Sequence, residues 1–221
     1  MGTDAKEPKA RKKIVATMAR LLRRQGYAAT GLNQLVAEAD APKGSLYHYF
    51  PEGKEQVAAE ALRFAGGLVR DTLEDLARRE GRPDRMLIAY GELLAGWMGE
   101  ADFRDGCPIT TTLLETTPDS ARLSAVGREI FAAWETIFAQ ALRENGIAER
   151  RADELALLAL VAIEGALILA RVRCDPAPLT VAAREVAALI AREVEEFEPR
   201  ERSAKAREFG SFVVEQSDGS G

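Results

Sequence analysis

The sequence predicts an all-α protein in which a small helical head is joined by one long helix to a larger helical body. Apolar residues recur three or four positions apart over most of the 221 residues, which is the period of an amphipathic helix. Runs in which apolar and polar residues alternate, the pattern of a half-buried strand, are almost absent. Glycine and proline fall between the periodic segments, where helices stop and start.

The first predicted helix ends just before Gly26. Arg23 and Arg24 occupy its last turn, where the carbonyl end of the helix dipole favours positive charge, and glycine is a common helix stop. We expect the apolar stripe of this helix to pack inward and its lysines and arginines to face solvent. The stripe consists of Ile14, Val15, Met18, Leu21 and Leu22.

A second helix, a tight turn and a short third helix are predicted between residues 30 and 54. Thr30 or Gly31 can cap the second helix, and Pro42 ends it, because the residue before a proline is pushed out of the helical region. In the third helix, Leu46 and Phe50 are four apart and can face the interior. Basic, aromatic and small polar side chains on the rest of this helix can contact the phosphates and base edges of DNA. They are Lys43, Ser45, Tyr47, His48 and Tyr49, beside a Gly44 that permits close approach to a groove wall.

Charge is distributed unevenly along the chain. Residues 1–56 carry ten Lys/Arg and six Asp/Glu, whereas residues 57–221 carry twenty and twenty-nine. The net charge of −5 therefore combines a basic head with an acidic body. The basic head suits the salt-dependent part of DNA binding, although charge alone would fit an ordinary solvated helix face equally well.

A long fourth helix is predicted from about Glu55 to Arg79, which makes the link between head and body a rod. Each glycine of the Gly66-Gly67 pair inside it costs on the order of 1 kcal/mol relative to alanine, and either a hinge or close helix packing could compensate. The apolar spacing predicts further helices between Pro83 and Met98, Pro108 and Thr117, and Pro118 and Asn145.

Residues 155–170 are apolar nearly all round, interrupted by Glu164 and Gly165. The run is shorter than the roughly 18 to 20 residues of a membrane span and contains a carboxylate, so we expect no membrane association. With a helix predicted over 179–197, it could form half of a four-helix bundle that a second copy completes; an internal helical hairpin is the alternative. The residues predicted at this subunit interface are Leu160, Ile163, Leu167, Val186, Ile190 and Val194.

The segment around the third helix resembles the DNA-binding head of TetR-family transcriptional regulators. The resemblance rests on Thr30, the aliphatic pair Leu35 and Val36, the run KGSLYHYF at 43–50, and Lys54. Downstream, Gly106-Cys107-Pro108, Trp134 and the run EGAL at 164–167 are similar to the branch containing lincomycin-resistance and flavonoid-responsive repressors. The resemblance implies a homodimeric repressor whose heads, about 34 to 36 Å apart, read the half-sites of a palindrome in double-stranded DNA.

The resemblance also implies roles for residues of the head. The candidates for base-edge contact are Asn33, Lys43, Gly44 and Ser45, those for phosphate contact are Thr30, Tyr47, Tyr49 and Lys54, and His48 suits either role. Packing within the head is the alternative for the two tyrosines of the third helix. Asn33 stands where many relatives carry a charged residue or glycine, so the base preference there is open.

A small-molecule effector bound in the body is a further implication, and the bulky side chains there suit a flat, largely apolar or aromatic molecule that releases the protein from DNA. The candidate ligand-binding residues are Phe64, Trp97, Phe103, Thr110, Thr111, Leu114, Trp134, Phe138 and Glu164. Packing in a solid core is the alternative for each aromatic residue. Three roles are open for Glu164: it could orient the ligand, bond the backbone or lie at the subunit interface.

The composition argues against an enzyme, a metal site or a bound cofactor. His48 is the only histidine, and the sequence contains no CxxC, HExxH, GxSxG, P-loop or GxGxxG pattern. Cys107 and Cys174 are the only cysteines and fit a reducing cytoplasm, although either could make the protein a thiol-sensing regulator. An α-helical adaptor that binds other proteins is the remaining alternative.

The expected domain organisation follows from these features. It comprises a flexible tail at 1–8, a helix-turn-helix DNA-binding domain at 9–54, a ligand-binding and dimerisation domain at 55–198, and a charged, then Ser/Gly-rich tail at 199–221, for which disorder is one expectation.

Overall fold

The computed structural model describes residues 9–42 and 44–195 of the chain. Within these ranges the backbone forms nine helices and no strand, which confirms the predicted all-α class. The predicted tails at 1–8 and 199–221 lie outside the described residues. The helices are α1 (Lys9–Gln25), α2 (Leu32–Glu38), α3 (Ser45–Tyr49), α4 (Lys54–Glu80), α5 (Pro83–Glu100), α6 (Pro108–Thr116), α7 (Ala121–Glu144), α8 (Glu149–Arg173) and α9 (177–195).

Helices α1, α2 and α3 form the head. The predicted stripe of α1 is buried, and Leu35, Leu46 and Phe50 pack into the same core. α1 is followed by Gly26, whose φ of 80° lies in the left-handed region that glycine adopts without strain. Gly31 is the N-cap of α2, whereas the Thr30 hydroxyl donates a hydrogen bond of 2.6 Å to the Gly26 carbonyl. Thr30 therefore fixes the turn between α1 and α2 from a fully buried position.

Helix α4 joins head and body as one helix of 27 residues, close to the predicted bounds. It packs against α1 in the head and against α5 and α7 in the body. Its first turns are also tied to α7, because Ser120, the N-cap of α7, donates a hydrogen bond to Glu55, and Arg122 forms an ion pair with Glu52 just before α4. The buried apolar residues of head and body form one continuous cluster, so the two parts share a core.

Helix α8 is longer than the apolar run at 155–170. It extends over 25 residues, because the charged residues that flank the apolar run are helical as well. By length and hydropathy alone this helix could cross a membrane, but a core helix of a soluble protein passes the same test. Leu155, Ala159 and Ile163 on one face are buried in the body, whereas the opposite face is exposed. One face of α8 therefore packs in the protomer and the other does not, although the apolar run covers nearly all of its circumference.

The residues predicted at the subunit interface lie mostly in the protomer's own core, which corrects that prediction. Ile163, Leu167, Ile190 and Val194 are buried, and Leu160 and Val186 are half-buried. The residues of α9 are buried because this helix packs closely on α5 at Gly91. A Cβ added to Gly91 would lie 2.4 Å from the Cβ of Ala183, so this side of α9 faces the core of the protomer. The outward apolar stripe of α8 consists instead of Leu157, Leu158, Val161, Ile168, Leu169 and Val172.

The two glycines within α4 have different surroundings. An added Cβ on Gly66 would lie 2.8 Å from Cγ2 of Ile130, whereas one on Gly67 would meet nothing within 4 Å. The Gly66 carbonyl also accepts a hydrogen bond of 3.0 Å from Nε1 of Trp134. Close packing of α4 on α7 therefore accounts for Gly66, and it does not account for Gly67.

We expect Gly66→Ala to destabilise the protein by about 1–3 kcal/mol, because the added methyl group overpacks the contact with Ile130. Gly67→Ala, its matched control in the next position, should be neutral or stabilise by up to about 1 kcal/mol through helix propensity. Thermal unfolding followed by circular dichroism at fixed protein concentration measures both effects. Equal melting temperatures for the two variants would contradict the proposed packing of α4 on α7.

Candidate functional site

The surface of the head around α3 is the first part of the candidate site. Asn33, Gly44, Tyr47 and His48 are exposed, with 62% of Tyr47 accessible. Ser45 is half-buried. Asn33 belongs to α2, Gly44 is the N-cap of α3, and the other three residues belong to α3, whereas Lys43 lies outside the described residues.

Two of the predicted DNA contacts have structural roles in the head. The buried Thr30 has no accessible side-chain surface for a phosphate, which corrects its predicted role. Tyr49 is half-buried, and its ring makes edge contacts with the rings of His48 and Phe50, at centroid distances of 4.9 and 6.5 Å. These contacts favour the packing alternative for Tyr49.

Lys54 makes contacts within the head. Its ammonium lies 4.3 Å from the centre of the Tyr27 ring and 3.5 Å from the Ala28 carbonyl oxygen. Burial lowers the pKa of this amine, because the charged form loses solvation. Lys54 thus holds the start of α4 against the turn that follows α1.

Several cations of α1 form ion pairs with carboxylates of the same chain. Arg11 forms an ion pair with Glu60, Arg20 with Glu38 at 2.6 Å, and Lys13 with the carboxylate of Asp40 at 3.6 Å. Paired charges produce a weaker field at a distance than the same cations alone, and salt screens what remains. Glu38 and Asp40 belong to the head and are already counted in its net charge, whereas Glu60 lies outside residues 1–56. Its ion pair with Arg11 therefore lowers the electrostatic attraction of the head for DNA below what the net charge of residues 1–56 indicates.

A cavity of about 660 Å³ lies in the body and forms the second part of the candidate site. Its volume falls within the range of roughly 300 to 1,000 Å³ that small-molecule sites occupy. Leu68 and Trp97, which are 54% and 44% exposed, lie in its wall, so the cavity is open to the surface. The lining residues are Arg23, Ala65, Leu68, Val69, Thr72, Tyr90, Leu94, Trp97, Met98, Glu100, Ala101, Asp105, Gly106, Cys107, Pro108, Ile109, Trp134, Glu164 and Leu167.

Three of the predicted ligand-binding residues, Trp97, Trp134 and Glu164, line this cavity. Phe138 borders a small adjoining void of about 10 Å³, together with Trp134 and Glu164. The remaining predictions, Phe64, Phe103, Thr110, Thr111 and Leu114, are not part of the wall.

The residues outside the wall are absent from it for different reasons. Phe64 is 43% exposed and is displaced from the α4 positions that line the cavity, namely 65, 68, 69 and 72. Leu114 is 74% exposed on α6. Thr111 donates a hydrogen bond of 2.7 Å to the Cys107 carbonyl, and the Thr110 hydroxyl donates one of 2.7 Å to the Glu164 carboxylate.

The sequence prediction missed lining residues from α4 and from the head. Leu68, Val69 and Thr72 recur at helical spacing, so a signal for this wall was present in the sequence. Leu167, predicted at the subunit interface, also lines the cavity. Arg23 belongs to α1, and no local pattern could indicate that it reaches a site built mainly from residues 65–167.

Glu164 is the polar centre of the cavity wall. Its carboxylate accepts a hydrogen bond of 2.7 Å from the Thr110 hydroxyl. Burial raises the pKa of this carboxyl, opposed by hydrogen bonds from Thr110 and Cys107. Burial and the nearby Glu164 also raise the pKa of the Tyr90 hydroxyl and of the Cys107 thiol. All three acidic groups are therefore shifted towards their neutral forms.

The end of α1 is joined directly to the rim of the cavity. The Arg23 guanidinium contacts the Asp105 carboxylate at 2.8 Å, and the Gly106 amide donates a hydrogen bond of 3.0 Å to the Arg23 carbonyl. The Arg171 guanidinium donates a hydrogen bond of 3.1 Å to the Arg24 carbonyl. Helix-terminal carbonyls lack partners within their own helix, and here the body supplies them.

A second contact between head and body lies at the turn after α1. The Glu115 carboxylate accepts a hydrogen bond of 2.5 Å from the Ala28 amide. An added Cβ on Gly26 would lie 2.0 Å from the same carboxylate, so glycine is required there for space as well as for backbone conformation.

Among the described residues, no group of three His, Cys, Asp or Glu side chains is placed to hold a metal ion.

Comparison with known proteins identifies the family to which the chain belongs. Residues 14–61 match the profile "Bacterial regulatory proteins, tetR family", and residues 83–185 match "Transcriptional regulator LmrA/YxaF-like, C-terminal domain". The transcriptional regulator YxaF of Bacillus subtilis is 37% identical over 81% of this chain and 94% of its own length. The regulator LmrA of the same organism is 33% identical over 76% of this chain and 90% of its own.

A regulatory protein TetR from Rhodobacter sphaeroides has the same fold. Its crystal structure superposes with a TM-score of 0.75 at 22% identity, covering 82% of this chain and 98% of the other. The relatives identified by sequence are transcriptional regulators, a class of proteins that are not enzymes. The chain belongs to the TetR family of bacterial transcriptional regulators and carries a C-terminal domain of the LmrA/YxaF type.

Proposed function

We propose that this regulator is a homodimeric repressor that binds a palindromic operator and is released when a largely apolar or aromatic effector enters the cavity of the body. The observation that carries the proposal is the shared wall, since Arg23 of the head lines the cavity and is paired with Asp105 on its rim. The proposed domains are 9–54 for DNA binding and 55–198 for effector binding and dimerisation. The proposed location is the cytoplasm, where a repressor meets DNA.

DNA reading is assigned to the exposed residues of α2 and α3. Tyr47 and His48 are accessible for phosphate or base contacts, and Asn33 and Gly44 are exposed as well. Lys43, Ser45, Tyr49 and Lys54 remain candidates on the basis of family resemblance. For Lys54, DNA contact would compete with its contacts to Tyr27 and Ala28.

Dimerisation is assigned to the outward apolar stripe of α8. Six large aliphatic side chains of this stripe are exposed, which is unfavourable for a protein in water unless another surface covers them. Gly165 lies within the stripe with open space around its Cα, so a partner helix can approach closely there. A two-fold arrangement would place two heads on one operator, and each head would read one half-site.

Release follows from the contacts at the rim of the cavity. An effector between α4, α5 and the Asp105 to Cys107 segment competes for space with the residues that hold the end of α1. If the effector prefers a different arrangement of this rim, it shifts the heads away from the DNA-binding geometry. By linkage, the operator must then weaken effector binding by the same factor.

Two alternatives remain distinguishable from this proposal. An α-helical adaptor would use the apolar stripe of α8 for another protein and would show no salt-sensitive affinity for a palindrome. A thiol sensor based on Cys107 is disfavoured, because burial raises the pKa of that thiol and the thiolate is the reactive form. Cys174 is exposed and is the more accessible of the two thiols.

Selection from randomised duplexes should yield an inverted repeat whose half-site centres are about 10 base pairs apart.

We expect Tyr47→Phe to weaken binding to the selected duplex about fivefold, because it removes one hydrogen bond to a charged phosphate. Fluorescence anisotropy at several salt concentrations measures both the affinity and its salt dependence. Tyr27→Phe, in the head but not on α3, is the control. Equal affinity for selected and random duplexes at physiological ionic strength would contradict the operator-binding proposal.

Val161→Asp should convert the dimer into a monomer at micromolar concentration, since it buries a charge in the proposed interface. Val161 is 61% exposed in the protomer, so the change should not disturb the folding of the single chain. Leu114→Asp, which alters a side chain that is 74% exposed on α6, is the matched control and should remain a dimer. Light scattering after size exclusion gives the mass of each. A Val161→Asp variant that stays dimeric would move the interface elsewhere.

Native protein treated with iodoacetamide should gain one carbamidomethyl group rapidly, at the exposed Cys174. Cys107, which is only partly exposed, should react slowly, because desolvation raises the pKa of its thiol. Intact-mass spectrometry counts the groups. Cys174→Ser should abolish rapid labelling, whereas Cys107→Ser should leave it unchanged. Rapid modification of Cys107 with loss of operator binding would restore the thiol-sensing alternative.

A further inference from the structure

The cavity wall carries an excess of negative charge. One positive and three negative side chains line it, namely Arg23, Glu100, Asp105 and Glu164. Arg23 and Asp105 are paired at 2.8 Å and compensate one another. Glu100, which is exposed, and Glu164, which is only partly exposed, are left as the uncompensated charges.

Glu164 has hydrogen-bonding partners but no cation. Thr110 and Cys107 donate to its carboxylate, and in residues 9–42 and 44–195 this side chain forms no ion pair. A carboxylate taken out of water without a counter-charge is unfavourable, and its raised pKa reflects that cost. A ligand that brought a positive charge to this carboxylate would remove the penalty.

Aromatic side chains line the same cavity. Trp97, Trp134 and Tyr90 contribute to its wall. The faces of indole and phenol rings attract cations, most strongly where water is excluded. Trp134 is held in place because its Nε1 donates a hydrogen bond to the Gly66 carbonyl, which fixes one wall before any ligand binds.

We propose that the effector is a lipophilic aromatic cation, whose rings pack between the tryptophans and whose positive charge lies against Glu164. This inference rests on the proposed effector-binding function and narrows its ligand to one chemical class. A neutral ligand would leave Glu164 shifted towards its protonated form, whereas a cation would stabilise the carboxylate. An anion would be repelled by both Glu164 and Glu100.

Two ions of the same shape and opposite charge test the proposal: tetraphenylphosphonium and tetraphenylborate. The chain contains two tryptophans, Trp97 and Trp134, and both line the cavity, so fluorescence excited selectively in tryptophan reports on this site. The neutral fluorescent probe N-phenyl-1-naphthylamine forms the third arm of the experiment. We expect wild-type protein to bind the phosphonium at least about tenfold more tightly than the borate.

Glu164→Gln removes the charge and retains an acceptor for Thr110. It should weaken phosphonium binding about tenfold and leave binding of the neutral probe within about twofold of wild type. Glu92→Gln removes the same charge from an exposed position of α5 outside the cavity wall and should change neither affinity. Circular dichroism melting of both variants checks folding, and the comparison of ions in wild-type protein does not depend on either variant.

Each other outcome overturns the inference at a different level. Equal or tighter binding of tetraphenylborate would show that the cavity does not select cations, and the proposal that the cavity binds an effector would stand. Binding of the neutral probe alone would exclude a cationic effector and retain the proposed function. An unchanged phosphonium affinity in Glu164→Gln would show that the charge of Glu164 does not contribute to binding of the cation. If none of the three probes bound, the effector-responsive function itself would fail, and duplex binding would be judged separately.

Discussion

The carbonyl end of α1 is the point on which the relation between head and body depends. The last carbonyls of a helix have no partners within that helix, and they must find them elsewhere or in water. Here Gly106 and Arg171 supply donors to the carbonyls of Arg23 and Arg24, and Asp105 pairs with the Arg23 side chain. Because Gly106 and Asp105 also line the cavity, the same few atoms complete a helix of the head and bound a space in the body.

The fold was largely predictable from the sequence, because its signals are local. The stripe Ile14, Val15, Met18, Leu21 and Leu22 is buried as its spacing predicts, and Pro83 and Pro108 begin helices as expected. The reading motif of the head was also visible, since its residues are consecutive. The apolar period of a single helix and the residues that begin and end it can be predicted from the sequence, because both depend only on neighbouring residues.

The candidate site was only partly predictable, because it is assembled from distant segments. Trp97, Trp134 and Glu164 were recognised as candidates for the cavity, but Arg23 reaches it from the head, and Leu167 lies in its wall instead of at a subunit interface. In α8 the sequence offers apolar residues on both faces, so periodicity cannot distinguish the face that packs on the protomer from the one that remains outside. Only the positions of α5, α7 and α9 make that distinction.

The shared core of head and body has a consequence for how such regulators diversify. Leu22, Phe50 and Val57 belong to the same buried cluster as Ile109 and Leu123, so no layer of solvent separates a reading module from a sensing module. Recombination that exchanged the first 54 residues for those of a relative would have to preserve the shape of α1 against α6, and also the glycine at position 26 that makes room for Glu115. New operator preferences can therefore arise more readily by point substitution on the exposed side of α2 and α3 than by transplanting whole heads between lineages.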